Sequence, residues 1–361
     1  MWLDVLIIFL KAVVFVVFVL TYMALLMWME HKQSAVMQDR LGINRASILG
    51  VRAFGLPHIV AHALKMIFKE DFVPPGGDKF LHTMAPFTAM FFALMTFAAI
   101  PFGDSITIAG RQIDLLVLPL NVSLLFVFAM MSLGIYGTFL AGFSSNNKYA
   151  FLGGLRASSQ MISYEITLGI TLVGVLMIFG TLDLAAINRA QGGLIGGWLP
   201  KWGVVLQPLG FILFLFAGMA ETKRTPFDLP EGESEIVGYF VEYSSLKFGM
   251  FFMTDFIETI LIAALITTLF FGGWQIPYLQ SSGFQFPWGG SLALPGLAVT
   301  LLQIAAFACK VLFFSWFLLL IRWTLPRFRY DQLMRLGWKF MLPASVFNVF
   351  VTALVLLLIR R

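Results

Sequence analysis

The chain is poor in the residues that hold redox groups and metals. It has one cysteine, Cys309, and four histidines in 361 residues, so neither a disulfide nor a thiolate-ligated cluster can be assembled from it alone. No Gly-x-Gly-x-x-Gly follows a strand-like run, no Walker loop occurs, and no His or Cys spacing suits a metal. The chain by itself therefore offers no place for a nucleotide, a flavin, an iron–sulfur cluster or a metal ion, and any redox role must borrow electrons from partners. Charge is scarce as well, at 12% of residues against about 25% in soluble proteins.

What is abundant is apolar surface. Hydrophobic residues make up 59% of the chain and mean hydropathy is +0.88, which leaves too little polar surface for a water-soluble fold. A helix needs roughly 20 apolar residues to cross the hydrocarbon core. Eight runs qualify, at about 5–29, 81–101, 116–142, 157–180, 204–220, 248–271, 296–323 and 339–359. The expected fold is an all-α integral membrane protein of eight transmembrane helices, one membrane domain over 1–361, with both termini on one side.

The basic residues choose that side. Of 24 Lys and Arg, 17 fall in the loops after spans one, three, five and seven; Arg111, Arg189, Lys201, Arg360 and Arg361 lie on the other face. Lys and Arg are retained on the cytoplasmic side, so both termini are expected on the outer, periplasmic side. The positive net charge of +5 then records orientation, and nucleic-acid binding is excluded as its explanation. Asp4 precedes the first span where a secretion signal carries basic residues, so that span reads as retained. Cys309, inside span seven, is expected to be a packed small residue.

The longest cytoplasmic loop carries an amphipathic segment at 53–70. Phe54, Ile59, Val60, Ala63, Leu64, Ile67 and Phe68 share helical spacing, opposed by Arg52, His58, His62, Lys65 and Lys69. Such a helix lies at the membrane surface, as an anchor or as the border of a ligand entrance, and Pro74-Pro75-Gly76-Gly77 ends it. The outward loops are rich in Gly, Pro and Ser. Their Trp198, Trp202, Trp274 and Trp288 suit an interfacial aromatic belt.

Acids are concentrated where apolar runs break. Glu221, Asp228, Glu231, Glu233, Glu235 and Glu242 crowd into 22 residues of the 220–247 loop, so they are expected to titrate as a coupled group. Apolar Pro226, Phe227, Leu229, Pro230, Ile236, Val237, Tyr239 and Phe240 interleave them and favour burial. Charged residues inside spans cost about 2.5–3.5 kcal/mol each at mid-helix, yet Glu165, Asp255, Glu258 and Lys310 lie there. Asp255 and Glu258, three apart, share a helix face; Lys310 is expected to pair with one of them. The combination outlines a proton path from water into the bilayer interior.

Five motifs resemble one known family. They are Phe143-Ser-Ser-Asn-Asn-Lys-Tyr149, Leu155-Arg-Ala-Ser-Ser-Gln-Met-Ile-Ser-Tyr-Glu165, the acidic stretch ending at Glu242, Phe271-Gly-Gly-Trp274, and Leu325-Pro-Arg-Phe-Arg-Tyr-Asp-Gln332. In order and spacing they are similar to the H-type membrane component of NADH-quinone oxidoreductase, respiratory complex I, whose mitochondrial counterpart is NADH dehydrogenase subunit 1. The resemblance covers nearly the whole chain. It implies a bacterial inner-membrane component at the junction of the membrane and hydrophilic arms, lining a chamber for quinone, the substrate. FMN and iron–sulfur clusters would sit in partner subunits, and antiporter-like membrane subunits would adjoin. By resemblance, Arg40, Arg45, His62, Lys65 and Phe227 belong to the chamber and its entrance. The relay would comprise Glu165, Asp255 and the acids of the 221–242 loop.

The chain departs from the family pattern in three places. Ile43 stands where Gly-Pro-Asn-Arg is usual, His62 stands where many members carry Asp, and Asp255 replaces a usual Glu. Other readings are a homologous component of a hydrogenase-type or F420H2-type complex, a stand-alone proton or cation transporter, and a purely structural scaffold.

Overall fold

In the computed structural model the described residues are 2–108, 111–229, 236, 238–280 and 283–359. Glu231, Glu233 and Glu235, with Pro230 and Val237, fall outside them, as do Arg360 and Arg361.

The architecture is helical. Seven of the described helices are long and apolar enough to cross a membrane. Helix α1 (Trp2–Met37) is followed by the short amphipathic α2 (Pro57–Phe68), with Pro57 at its first turn. Helices α3 (Lys79–Thr96), α4 (Ser123–Ser144) and α5 (Lys148–Phe179) come next, then a short α6 (Leu184–Ala190). The 204–220 run is the exception to the expected spans. It divides into α7 (Gly203–Leu206) and α8 (Pro208–Glu221), because Pro208 has no amide hydrogen to continue a helix and Gln207 adopts a non-helical backbone. With 14 residues, α8 is only about 21 Å long at 1.5 Å per residue. Helices α9 (Ser245–Phe270) and α10 (Gly296–Thr324) follow. The last span joins α11 (Tyr330–Arg335) to α12 (Leu342–Ile359) through a π-helical turn at Leu336–Met341.

Several helix ends are written locally. The Asp78 carboxylate accepts from Phe80 and Leu81 amides, and Asn147 caps α5 through the Tyr149 amide, each satisfying donors that the first turn leaves open. Helix α1 runs on past the end of its apolar stretch. Glu30, Ser34 and Ala35 are buried there, so packing rather than lipid supports that extension.

Helix α9 is the central element: 78% of its apolar window is buried, against 11% for α1 and 11% for the last span. The core gathers around it from α1, α5, α8 and α10. Helices α3 and α4 meet closely, since a Cβ on Gly137 would stand 2.6 Å from the Ala89 methyl.

At one end of the bundle the loops form small antiparallel sheets instead of plain caps. Strand β1 (Ser105–Ile108) pairs with β2 (Arg111–Asp114), β3 (Leu194–Ile195) with β4 (Leu199–Pro200), and β5 (Leu279–Gln280), β6 (Gly283–Gln285) and β7 (Ser291–Ala293) form a three-stranded sheet. Trp198 and Trp288 are exposed there, as a belt requires, whereas Trp274 is fully buried. Its Phe271-Gly-Gly-Trp turn folds back into the core. Cys309 also differs from expectation. It is exposed, on the wall of an apolar cavity of about 250 Å³ between α1, α9 and α10, because that helix face meets the crevice and not a neighbour.

Candidate functional site

The opposite end of the bundle holds the buried charge. Helix α8 ends at Glu221, and the chain turns at once through Lys223, which has a left-handed backbone with φ of 53°. The turn is pinned from α5, where the Gln160 amide donates to the carbonyls of Ala220 and Phe227, both at 2.8 Å. Glu221 and Lys223 are thereby driven inward, at 2% and 1% exposure.

Lys223 Nζ lies 3.2 Å from Asp255 Oδ1 and 3.4 Å from Glu258 Oε2. The shared helix face read from their spacing is therefore occupied, by Lys223 and not by Lys310. Neither carboxylate oxygen of Glu221 has a hydrogen-bond partner among the described residues. Its electrostatic neighbours are Glu165, Glu258 and Lys223. Glu165, on α5, accepts a hydrogen bond from the Ser132 hydroxyl of α4. It borders an apolar groove lined by Leu124, Phe128, Ile162 and Ile166. The packing of α5, α8 and α9 thus places Asp255 and Glu258 on one buried ammonium, with Glu221 between that group and the half-buried Glu165. In a low-dielectric interior, adding or removing one proton here changes the energy of every other member.

The remaining described acids of the loop do not join that group. Asp228 pairs with Arg327 at 2.7 Å. Glu242 accepts from the Asn147 amide at 2.6 Å, and its backbone carbonyl lies 3.4 Å from His82 Nε2. His82 stacks on Tyr243 with ring centroids 3.9 Å apart. Burial pushes the Tyr243 phenol up to about 12, opposed by hydrogen bonds with Ser144 and Ser145. The loop is thus divided among separate partners because each turn meets a different helix.

A second ionic centre carries no sequence motif. Glu30, 8% exposed on α1, receives Arg224 at 3.1 Å and also Arg322 from α10. The Arg224 guanidinium stands 3.8 Å over the Phe256 ring, a contact that stabilises a cation away from water. A cavity of about 40 Å³ lined by Arg224, Arg322, Asp255 and four phenylalanines connects this centre to the first. In the sequence, Lys223, Arg224 and Arg322 count only toward orientation. The available signal is Glu30 closing an apolar run, with no water-facing loop yet begun.

Lys310 has a different partner from the one expected. Its ammonium donates to the carbonyls of Phe271, Gly273 and Gln275 at 2.8, 3.0 and 2.7 Å, and lies 4.7 Å from the Trp202 ring centroid. Gly272 and Gly273 both take positive φ, which turns these carbonyls inward and satisfies Lys310 without an acid.

The expected entrance residues are partly assembled. The backbone amides of Arg45 and Ala46 donate to His58 Nε2 at 3.0 and 2.9 Å, tying the 40–52 loop to α2. The His62 ring lies 5.8 Å from His31 and 6.4 Å from His58. Arg40 and Lys65 are exposed, Arg40 donating to the Gln38 side chain at 2.6 Å. Phe227 is placed elsewhere: fully buried, its ring 5.6 Å from Phe328 and 6.0 Å from Tyr164. Stacking anchors it in the core, where it holds the loop rather than bordering α2. Among the described residues no group of three His, Cys, Asp or Glu side chains could hold a metal ion.

Comparison with known proteins gives the arrangement a context. A family model described as NADH dehydrogenase matches residues 10–353. The chain is 43% identical to an H-type component of the NADH-quinone oxidoreductase of Geobacter metallireducens, covering 94% of this chain and 93% of that one. It is 41% identical to the corresponding NADH-quinone oxidoreductase component of Cytophaga hutchinsonii, over 91% and 90%, and 40% identical to that of Flavobacterium johnsoniae, over 96% and 95%.

Proposed function

This chain belongs to the NADH dehydrogenase family, and on that premise we propose that it serves as a membrane subunit of a bacterial NADH-quinone oxidoreductase, coupling quinone reduction to proton translocation. It is not catalytic alone. Quinone is its substrate in the complex, and the FMN and iron–sulfur clusters belong to partner subunits. The hydrophilic quinone-site and iron–sulfur subunits meet the α2 end, and antiporter-like subunits lie alongside the bundle. The short α8 counts as an eighth crossing, made where neighbouring helices rather than lipid cover its end. Both termini then lie on the periplasmic side, and the α2 end faces the cytoplasm, as the basic residues of its loops require.

One observation carries the coupling role: Lys223 holds Asp255 and Glu258 beside Glu221, whose further neighbour is Glu165, next to the cavity that reaches Arg224 and Arg322. Reducing a quinone takes up protons along with electrons and develops negative charge. A buried, mutually coupled set of carboxylates responds to that charge by redistributing protons. The Glu30–Arg224–Arg322 centre places two guanidiniums on the route, where they stabilise a negative headgroup or intermediate. Arg40, Arg45, His62 and Lys65 border the entrance beside α1 and α2, and the quinone tail occupies that side. The names of the relatives favour NADH as donor and quinone as acceptor over a hydrogenase-type or F420H2-type assembly.

The test is Glu165→Gln in the assembled complex. NADH:quinone turnover and proton pumping are expected to fall together by about a hundredfold, the low end of what a lost proton-transfer group costs, with the chain still incorporated. Full pumping in an assembled Glu165→Gln complex would refute the relay, and the partners that co-purify identify the donor module.

A further inference from the structure

Most of the buried carboxylates stand in an ion pair, and among the described residues Glu221 does not. Asp255 and Glu258 stand within ion-pair distance of Lys223, at 3.2 and 3.4 Å. Asp228 has Arg327, Glu30 has two arginines, and Glu165 has the Ser132 hydroxyl. Glu221 is buried with no donor on either oxygen among the described residues, and two of its three electrostatic neighbours are acids. Placing a negative charge there is costly, because no hydrogen-bond donor offsets the desolvation of either oxygen.

We propose that Lys223 is the positioning residue of this cluster: its ammonium clamps Asp255 and Glu258 on α9 as carboxylates and so makes Glu221 the carboxyl that gains and loses a proton opposite Glu165. This rests on the proton-relay reading above and assigns the parts within it. Two features of the chain support the clamp. Lys223 is 1% exposed, and a buried ammonium is tolerated only where anions compensate it. It also sits on the turn held by Gln160 to α5 and closely follows the end of α8, so its reach is set by backbone and not by a flexible surface loop. One cation between two carboxylates leaves a single net negative charge on the three side chains, with Arg224 as a further charge acting on Glu258. That charge opposes ionisation of Glu221 and draws a proton back once it has ionised.

The experiment uses the assembled complex in liposomes, with infrared difference spectroscopy of the protonated-carboxyl band alongside pumping. Lys223→Met keeps an unbranched side chain and meets the same backbone requirement at this φ. It is expected to add a protonated-carboxyl signal and to lower pumping by about tenfold or more. Lys223→Met/Glu258→Gln restores the single net charge, so the added signal should vanish and pumping recover most of that loss. An unchanged carboxyl band in Lys223→Met, or an added band that persists in the double variant, overturns the clamp. Should Lys223→Met fail to assemble, the band that titrates in the parent complex decides the matter. It should disappear in Glu221→Gln and persist in Asp255→Asn; the reverse overturns the assignment. The band reports protonation whether or not the chain pumps. A shifted band with unaltered pumping therefore upholds the clamp and removes the relay reading on which it was built.

Discussion

Two ion pairs at opposite ends of the bundle have similar lengths and different consequences. At the hairpin end Arg189 and Asp104 lie 2.9 Å apart with side chains 54% and 42% exposed. At the other end Lys223 and Asp255 lie 3.2 Å apart with 1% and 12% exposed. The first pair keeps most of its water, which screens it and makes its net contribution small. The second has given up its hydration, so neither partner can change charge without forcing a response from the other. Distance alone does not separate a coupling site from a surface contact; burial does. The hairpin end can accordingly absorb charge substitutions, and the α8–α9 turn cannot.

Three substitutions test that contrast, beginning with the largest effect. Glu30→Gln leaves Arg224 and Arg322 facing each other with their shared carboxylate gone. Breaking a buried ionic centre this way is expected to cost about 3–5 kcal/mol, seen as a lower thermal midpoint and a smaller yield of assembled complex. An unaltered midpoint would mean that the two guanidiniums are compensated elsewhere.

The next concerns α2, where exposure is intermediate. Burial, and then the charges of His31, His58 and Lys65, hold the His62 imidazole below its ordinary value of 6.5. The folded chain resists a proton that the unfolded chain accepts. The stabilisation is therefore complete above that ordinary value and is lost as pH falls through the lower folded one. Amide protection across α2, with the intrinsic exchange rate divided out, should fall between about pH 7 and pH 5 and become flatter with pH in His62→Gln. Equal pH dependence in both proteins would rule His62 out. The smallest effect is expected for Asp104→Asn at the hairpin end, within about 1 kcal/mol and without loss of pumping; a large loss there would erase the distinction between the two ends.

Much of this is readable before folding. The long apolar runs become helices where the hydrocarbon requirement leaves no other backbone solution, since a lipid-exposed chain must satisfy its own amides and carbonyls. The spacing of Asp255 and Glu258 puts them on one face, and the amphipathic pattern at 53–70 becomes α2. The motifs point to the family. The divided run at 204–220 is harder to read: Pro208 is visible, but that Gln207 breaks the helix while bonding to Asn348 and Thr352 of the last span depends on residues more than a hundred positions away.

The acidic residues divide in the same manner. Sequence alone determined that the acids of 221–242 are unusual for their surroundings, because charge at membrane depth is costly wherever it falls. Only the tertiary structure decided which of them meet: Glu221 turned inward to Glu165 and Glu258, Asp228 toward Arg327, Glu242 toward Asn147. It likewise gave Lys223 to the α9 acids and Lys310 to three carbonyls. Composition fixes how much charge must be hidden, whereas pairing depends on the angles at which helices cross, and those are set by packing between segments distant in the chain.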